Sequence, residues 1–192
     1  MIGSLLYLAL GTRLDIACAV QTVSRFASNP GLEHWTALKR IFKYIAGTQD
    51  YELVYHAEGD KVFSHGYTDD RKLISGYAYF VADAAFAWSS KKQSTVALSS
   101  TEAEYKALAH ATRQAIWNRN LLAELGYNQD EATVLYEDNQ SAIAIACDLA
   151  YHARSKHFDV QNHFVWEKIE NDIIELEHCS TKDMIANIFT KA

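Results

Sequence analysis

Ser99-Ser100-Thr101-Glu102-Ala103-Glu104-Tyr105 opens a long helical pattern, and Tyr136-Glu137-Asp138-Asn139-Gln140-Ser141-Ala142 carries a short strand pattern into a helix. A third acidic pair, Asp69-Asp70, closes an earlier strand-like run. Carboxylates at the ends of different elements converge when those elements pack. Hard oxygen ligands of this kind hold Mg²⁺ and leave positions open for the oxygens of a phosphate.

The segments around these motifs set the architecture. Leu53, Tyr55 and then Val62-Phe63-Ser64-His65-Gly66-Tyr67 are β-prone, and Ser75–Val81 and Ala85–Ser90 read as two further strands joined by short connections, an antiparallel meander. A helix is predicted over 101–125, with Thr101 and Glu104 in the form of a capping box or Ser100 as the cap, and Gly126 as its stop. Thr133–Tyr136 reads as a strand, Asn139 to Ala146 and 156–170 as helices, Ile173–Cys179 as the last strand and Thr181–Lys191 as a terminal helix. In front, residues 1 to about 48 read as helical, divided at Pro30-Gly31, with Trp35, Leu38, Phe42 and Ile45 on one face of the second part. Strands followed by helix, strand, helix, helix, strand and helix predict an α/β fold, a mixed sheet covered by helices.

Composition narrows the class. A chain of 192 residues holds one domain, or one domain with an appendage. With 49% hydrophobic and 12% aromatic residues it can build a real core. No apolar run is long enough to predict a membrane span. Met1–Leu10 lacks the positive start of a signal peptide, and its helical pattern runs on through Arg13 and Asp15. Cys18, Cys147 and Cys179 are far apart and in no metal spacing, so free thiols in a reducing, intracellular compartment, cytoplasmic or nuclear, are expected. The eight histidines show no zinc-ligand pattern. The net charge of −6 argues mildly against nucleic-acid binding, but local clustering matters more: Lys39, Arg40 and Lys43 share a helix, and Lys91 and Lys92 are adjacent. The helix cluster reads equally as an ordinary solvated face.

The motifs carry a resemblance. Gly66-Tyr67-Thr68-Asp69, Ile74-Ser75-Gly76-Tyr77, Trp88-Ser89-Ser90-Lys91-Lys92-Gln93, Ala97–Tyr105, Asp138–Ala142, Ser155-Lys156-His157 and Ile188-Phe189-Thr190-Lys191 follow the order and spacing of the ribonuclease H domain of copia-type LTR retrotransposon Pol polyproteins. The front, Ile2–Leu8, resembles the tail of the reverse-transcriptase region. The resemblance therefore implies two parts: residues 1–50, a helical remnant of the reverse-transcriptase thumb or connection, and 51–192, a ribonuclease H-like domain with a mixed five-stranded sheet flanked by helices.

It also implies the chemistry, two-metal hydrolysis of the RNA strand of an RNA–DNA hybrid with Mg²⁺ or Mn²⁺. The implied metal ligands are Asp69, Glu102 and Asp138. Taken without the family, these are a turn residue, a helix-dipole partner and an N-cap. Glu102 and Glu104 lie about 200° apart around a helix, so both cannot face one metal; the family favours Glu102 and leaves Glu104 as cap partner or solvated. Asn139 and Gln140 are implied minor-groove contacts, and Ser89, Ser90, Lys91 and Lys92 backbone contacts. His157 is a candidate proton shuttle, or else, like His163, a partly buried structural histidine. The reverse-transcriptase domain of a larger polyprotein is an implied partner.

Two departures bear on activity. The fourth catalytic position, an aspartate in the family, is Asn187 within Ala186-Asn187-Ile188; it keeps an acceptor oxygen but no charge. Asp183 lies one helical turn away as a substitute. Tyr67-Thr68-Asp69 also abuts Asp70-Arg71-Lys72, where the family has a longer segment. The shortened hairpin predicts that Asp69 falls in a turn, and leaves open which of Asp69 and Asp70 is the ligand. A degenerate domain that binds nucleic acid or serves as a structural or interaction module is the alternative. Tyr67-Thr68-Asp69-Asp70 also looks like the Tyr-x-Asp-Asp signature of polymerases, but too few residues precede it to build fingers and palm.

Overall fold

The computed structural model describes residues 1–56, 64–71, 74–93, 99–147 and 159–190. Strands β1 (Ser64–Arg71), β2 (Ile74–Val81), β3 (Ala84–Lys92), β4 (Thr133–Glu137) and β5 (Ile174–His178) form one sheet in the order β3-β2-β1-β4-β5. β1, β2 and β3 are the predicted antiparallel meander, whereas β4 runs parallel to β1 and β5 parallel to β4. This mixed five-stranded sheet with flanking helices is the ribonuclease H fold.

The helices are α1 (Ile2–Gly11), α2 (Ala17–Ser24), α3 (Leu32–Gly47), α4 (Ser100–Glu124), α5 (Gln140–Cys147), α6 (Asp159–Glu170) and α7 (Asn187–Thr190). They cover both faces of the sheet, and side-chain alternation along β2 separates the two cores. Tyr77 and Tyr79 pack with Leu108, Ala111 and Ala115 of α4. Ala78 instead joins Leu5, Ala9, Val20, Leu38, Ile41 and Phe189 on the opposite face. The front helices thus share a core with one face of the sheet, and the Trp88 indole N–H donates to the Ala9 carbonyl at 2.8 Å across that junction.

Local chemistry fixes the boundaries that matter for the site. Ser99, not Ser100 or Thr101, caps α4: its hydroxyl accepts the Glu102 N–H at 3.1 Å. The far end closes as the sequence suggests. Gly126 takes φ +90, and the Gly126 and Tyr127 N–H groups bond the Ala123 and Leu122 carbonyls at 3.0 and 2.8 Å, a glycine-dependent Schellman stop.

Three expectations change. The leading helical stretch breaks at Thr12-Arg13, where Arg13 leaves the α1 pattern to bond Asp15 and Thr48. On α3 the buried residues are Leu38 and Ile41, while Trp35 and Phe42 remain 45% and 37% exposed, so the packed stripe is rotated from the predicted one. The terminal helix is the short α7, because residues 181–186 form turns before it.

Candidate metal centre

The acidic residues meet at the carboxyl end of β1 and β4. Asp69 lies within β1, paired with Gly76 of β2, and is 2% exposed. The expected displacement into a turn does not occur: β1 extends to Arg71, so the shortened connection falls beyond Asp69. Its Oδ2 accepts the hydroxyl of Thr190 on α7. Asp138 stands just past β4, and its Oδ2 accepts the Thr181 hydroxyl at 2.9 Å.

The third member is Glu104. One carboxylate oxygen from each of Asp69, Glu104 and Asp138 lies within 4.8 Å of the other two. Glu102, the glutamate expected in this role, is outside the cluster, and its carboxylate pairs with Lys106 at 2.7 Å. The helix explains the exchange. Glu104, Leu108, Ala111 and Ala115 are the buried stripe of α4 at four, three and four residues. Glu102 and Lys106 lie on a flanking face, paired at i and i+4. Extending the apolar stripe back to Glu104 is the sequence signal that would have selected it.

Asn187 sits beside this group at the start of α7. Its side-chain amide donates to the Thr181 carbonyl at 2.7 Å, close to the hydroxyl that holds Asp138. Its Oδ1 is buried with no hydrogen-bond partner among the described residues. Thr68 Oγ1 and Glu137 Oε2 share that condition, one residue before Asp69 and Asp138 respectively. Asp183 does not replace the missing charge from within the cluster: it is exposed and accepts the Ser180 hydroxyl at 2.6 Å.

The carboxylates repel one another. Two carboxylate charges at this spacing repel by roughly 3–4 kcal/mol at an effective dielectric of about 20. Glu137, fully buried next door, shows the effect: burial pushes its carboxyl well above the ordinary value, and the charges of Glu104, Asp138 and Asp69 push it further, against one favourable hydrogen bond from the Asn139 N–H. A divalent cation would turn this repulsion into attraction. The oxygen-only donor set, with the buried Asn187 Oδ1 beside it, fits a hard cation such as Mg²⁺.

The other expected contacts divide. Lys91 and Lys92 are exposed on edge strand β3. Ser90 is committed to structure, donating to the Phe189 carbonyl at 2.6 Å, and Ser89 is half-buried on β3 opposite Tyr77. Asn139 caps α5, its Oδ1 accepting the Ser141 and Ala142 N–H groups at 3.0 and 3.2 Å, while Gln140 is exposed. On α3, Lys39, Arg40 and Lys43 are exposed. His163 is exposed and edge-on to Trp166, and His157 lies outside the described residues. No helix among the described residues is long and apolar enough to cross a membrane.

No family model matches the chain. It is 41% identical over 198 residues to the retrovirus-related Pol polyprotein from transposon TNT 1-94 of Nicotiana tabacum, covering 99% of this chain and 15% of the polyprotein. It is 36% identical over 199 residues to the Pol polyprotein from transposon RE2 of Arabidopsis thaliana, covering 100% of this chain and 14% of that protein. The chain therefore spans about a seventh of the length of these curated relatives. Among solved structures, a foamy viral protease-reverse transcriptase in complex with double-stranded DNA superposes with a TM-score of 0.53 at 9% identity, covering 94% of this chain and 31% of that one.

Proposed function

We propose that this chain, which belongs to the retrovirus-related Pol polyproteins of copia-type transposons, is a metal-dependent ribonuclease H that hydrolyses the RNA strand of RNA–DNA hybrids. The observation that carries the reading is the convergence of Asp69, Glu104 and Asp138, from three different elements, to within 4.8 Å. Carboxylate oxygens gathered this closely suit a divalent cation, whose charge turns their mutual repulsion into attraction. Asp69, Glu104 and Asp138 would hold two Mg²⁺ or Mn²⁺ ions, with Asn187 Oδ1 as a neutral donor. Once bound, such a pair supplies an activated water and neutralises the leaving 3′-oxygen.

The protein's own part is positioning. Thr190 and Thr181 hold Asp69 and Asp138 by hydroxyl donors, so the carboxylates are oriented before any cation arrives. Lys91 and Lys92 offer charge to a phosphate backbone, and Gln140, free of the capping duty taken by Asn139, is available to a minor groove with its 2′-hydroxyls. His157 remains the candidate proton shuttle. The division near residue 50 between a reverse-transcriptase remnant and the nuclease, and association with the reverse transcriptase of a larger polyprotein, belong to the same proposal.

A second reading is favoured by Asn187. A centre one charge short holds its second cation more weakly, and such a domain could bind hybrid without cutting it. Cleavage of a labelled RNA–DNA hybrid with Mg²⁺ or Mn²⁺ separates the two. Cutting by the native chain that Asp138→Asn abolishes supports the nuclease. Binding without cutting, with activity restored by Asn187→Asp, supports the degenerate domain.

A further inference from the structure

We infer that Asn187 is a positioning residue of the metal centre: its side-chain amide holds the backbone of Thr181, and the Thr181 hydroxyl in turn orients Asp138. This rests on the proposed metal-dependent function. Asp138 lies one residue past the last register pair of β4 with β5, Glu137 with His178. Its Oδ2 accepts the Thr181 hydroxyl at 2.9 Å. Thr181 is exposed, and water competes for a carboxylate at the surface. The hydroxyl therefore orients Asp138 only as well as the backbone beneath it is fixed. Asn187 fixes that backbone. Its Nδ2 donates to the Thr181 carbonyl at 2.7 Å, across six residues, and so closes the turns of 181–186 onto the start of α7. Met184 and Ala186, buried in the core shared with the front helices, anchor the same stretch from below.

Asn187 is tied to a second carboxylate of the cluster through its backbone. The Thr190 hydroxyl that donates to Asp69 also lies 3.3 Å from the Asn187 carbonyl. One residue thus sits between the holders of Asp69 and of Asp138. The link to Thr181 requires an amide. Only a donor can stand 2.7 Å from a carbonyl oxygen, and an ionised aspartate in that place would set two acceptors face to face. Asparagine at 187 therefore supplies a bond that aspartate cannot make in this arrangement. Asn187→Asp gains a charge and loses this donor in one step, so the relay is isolated by other substitutions. Groups that orient the ligands of a cation typically change its affinity 10- to 100-fold when removed, about the effect expected of the Thr181 hydroxyl.

The experiment is a double-mutant cycle on Mn²⁺ affinity, read by calorimetry on the native chain, Thr181→Val, Asn187→Ala and the double variant, at a temperature where thermal unfolding shows each to be folded. Thr181→Val should weaken Mn²⁺ binding by about 10-fold. Asn187→Ala should weaken it at least as much. Because Asn187 acts on Asp138 through Thr181, adding Thr181→Val to Asn187→Ala should cost less than about threefold more. Thr181→Ser keeps the hydroxyl and should bind as the native chain does. A further loss of about threefold or more in the double variant overturns the relay, because the two residues would then act independently. Thr181→Val within about threefold of native, or a serine variant as weak as the valine one, overturns it too. In each of these outcomes Mn²⁺ binding by the native chain leaves the metal-dependent reading standing. If the native chain binds no Mn²⁺ at millimolar concentration, both fail together. Should Asn187→Ala not fold, Asn187→Leu, similar in shape and without a donor, takes its place in the cycle.

Discussion

The Thr190 hydroxyl donates to Asp69 Oδ2 across 121 residues of chain, in a buried contact that joins the last helix to the first strand. Asp69 is 2% exposed and Thr190 8%, so water cannot replace the donor. Thr190→Val keeps the shape and removes the hydroxyl. It should destabilise the protein by about 1–3 kcal/mol in urea unfolding, the cost of stripping a hydrogen bond from a buried carboxylate. Thr190→Ser should recover most of that. Equal stabilities for the valine and serine variants would show that the hydroxyl is not what orients Asp69.

Gly76 faces Asp69 in the β1–β2 register, and it is the absence of a side chain there that lets α7 approach. A Cβ at Gly76 would lie 2.6 Å from the Phe189 Cβ and 3.4 Å from the Ala186 carbonyl, atoms close to or on the backbone that cannot swing aside. Gly76→Ala should therefore push α7 off the sheet and draw Thr190 from Asp69. The expected cost is about 1–3 kcal/mol of overpacking, with weaker Mn²⁺ binding alongside. An alanine variant with native stability and native metal response would contradict this placement of α7.

What the sequence carried and what it hid follow from the range of the interactions. Strand periodicity, the Gly126 stop and the Pro30-Gly31 break are local signals, and the meander and α4 could be read from them. Register in the parallel pairs is not local, so nothing in the sequence shows Glu137 opposite Thr68. The choice between Glu102 and Glu104 was legible from the stripe through Leu108, Ala111 and Ala115, yet the motif pointed to the residue nearer the helix start. The Asn139 cap competed with a binding role for the same side chain, and only the bonds to Ser141 and Ala142 decide it. The rotated stripe of α3 reflects its packing against α2, which an isolated helix pattern does not contain.

The two glutamates of α4 should behave differently under the same substitution. Glu104→Gln removes a charge from the carboxylate cluster and should lower hybrid cleavage by at least 100-fold while weakening Mn²⁺ binding. Glu102→Gln weakens the i, i+4 pair with Lys106 and leaves the three-carboxylate cluster unchanged. Its cleavage rate should stay within a few-fold of native. The reverse ranking in a cleavage assay would reinstate Glu102 as the ligand.

A further charged pair lies away from the centre, where the front helices close on themselves. Arg13 is 7% exposed; it bonds Asp15 at 2.7 and 2.9 Å and reaches the Thr48 carbonyl at 3.0 Å, with its guanidinium 5.7 Å from the Tyr44 and Tyr51 ring centres. Burial pushes the Asp15 carboxyl up, but hydrogen bonds from Arg13 and Tyr44 outweigh it and hold the group below its ordinary value. A carboxylate lowered on folding contributes stability that is fully present above its unfolded pKa of about 3.9 and is lost as pH falls through the lower folded value. Urea unfolding of the native chain and Asp15→Asn at pH 6 and at pH 3 isolates this contribution from the other carboxylates. The native advantage over the variant should be largest at pH 6 and shrink at pH 3, because protonation of Asp15 leaves the Arg13 guanidinium as poorly matched in the native chain as in the variant. A constant difference across that range would mean that Arg13 is held by Thr48 and the two rings alone.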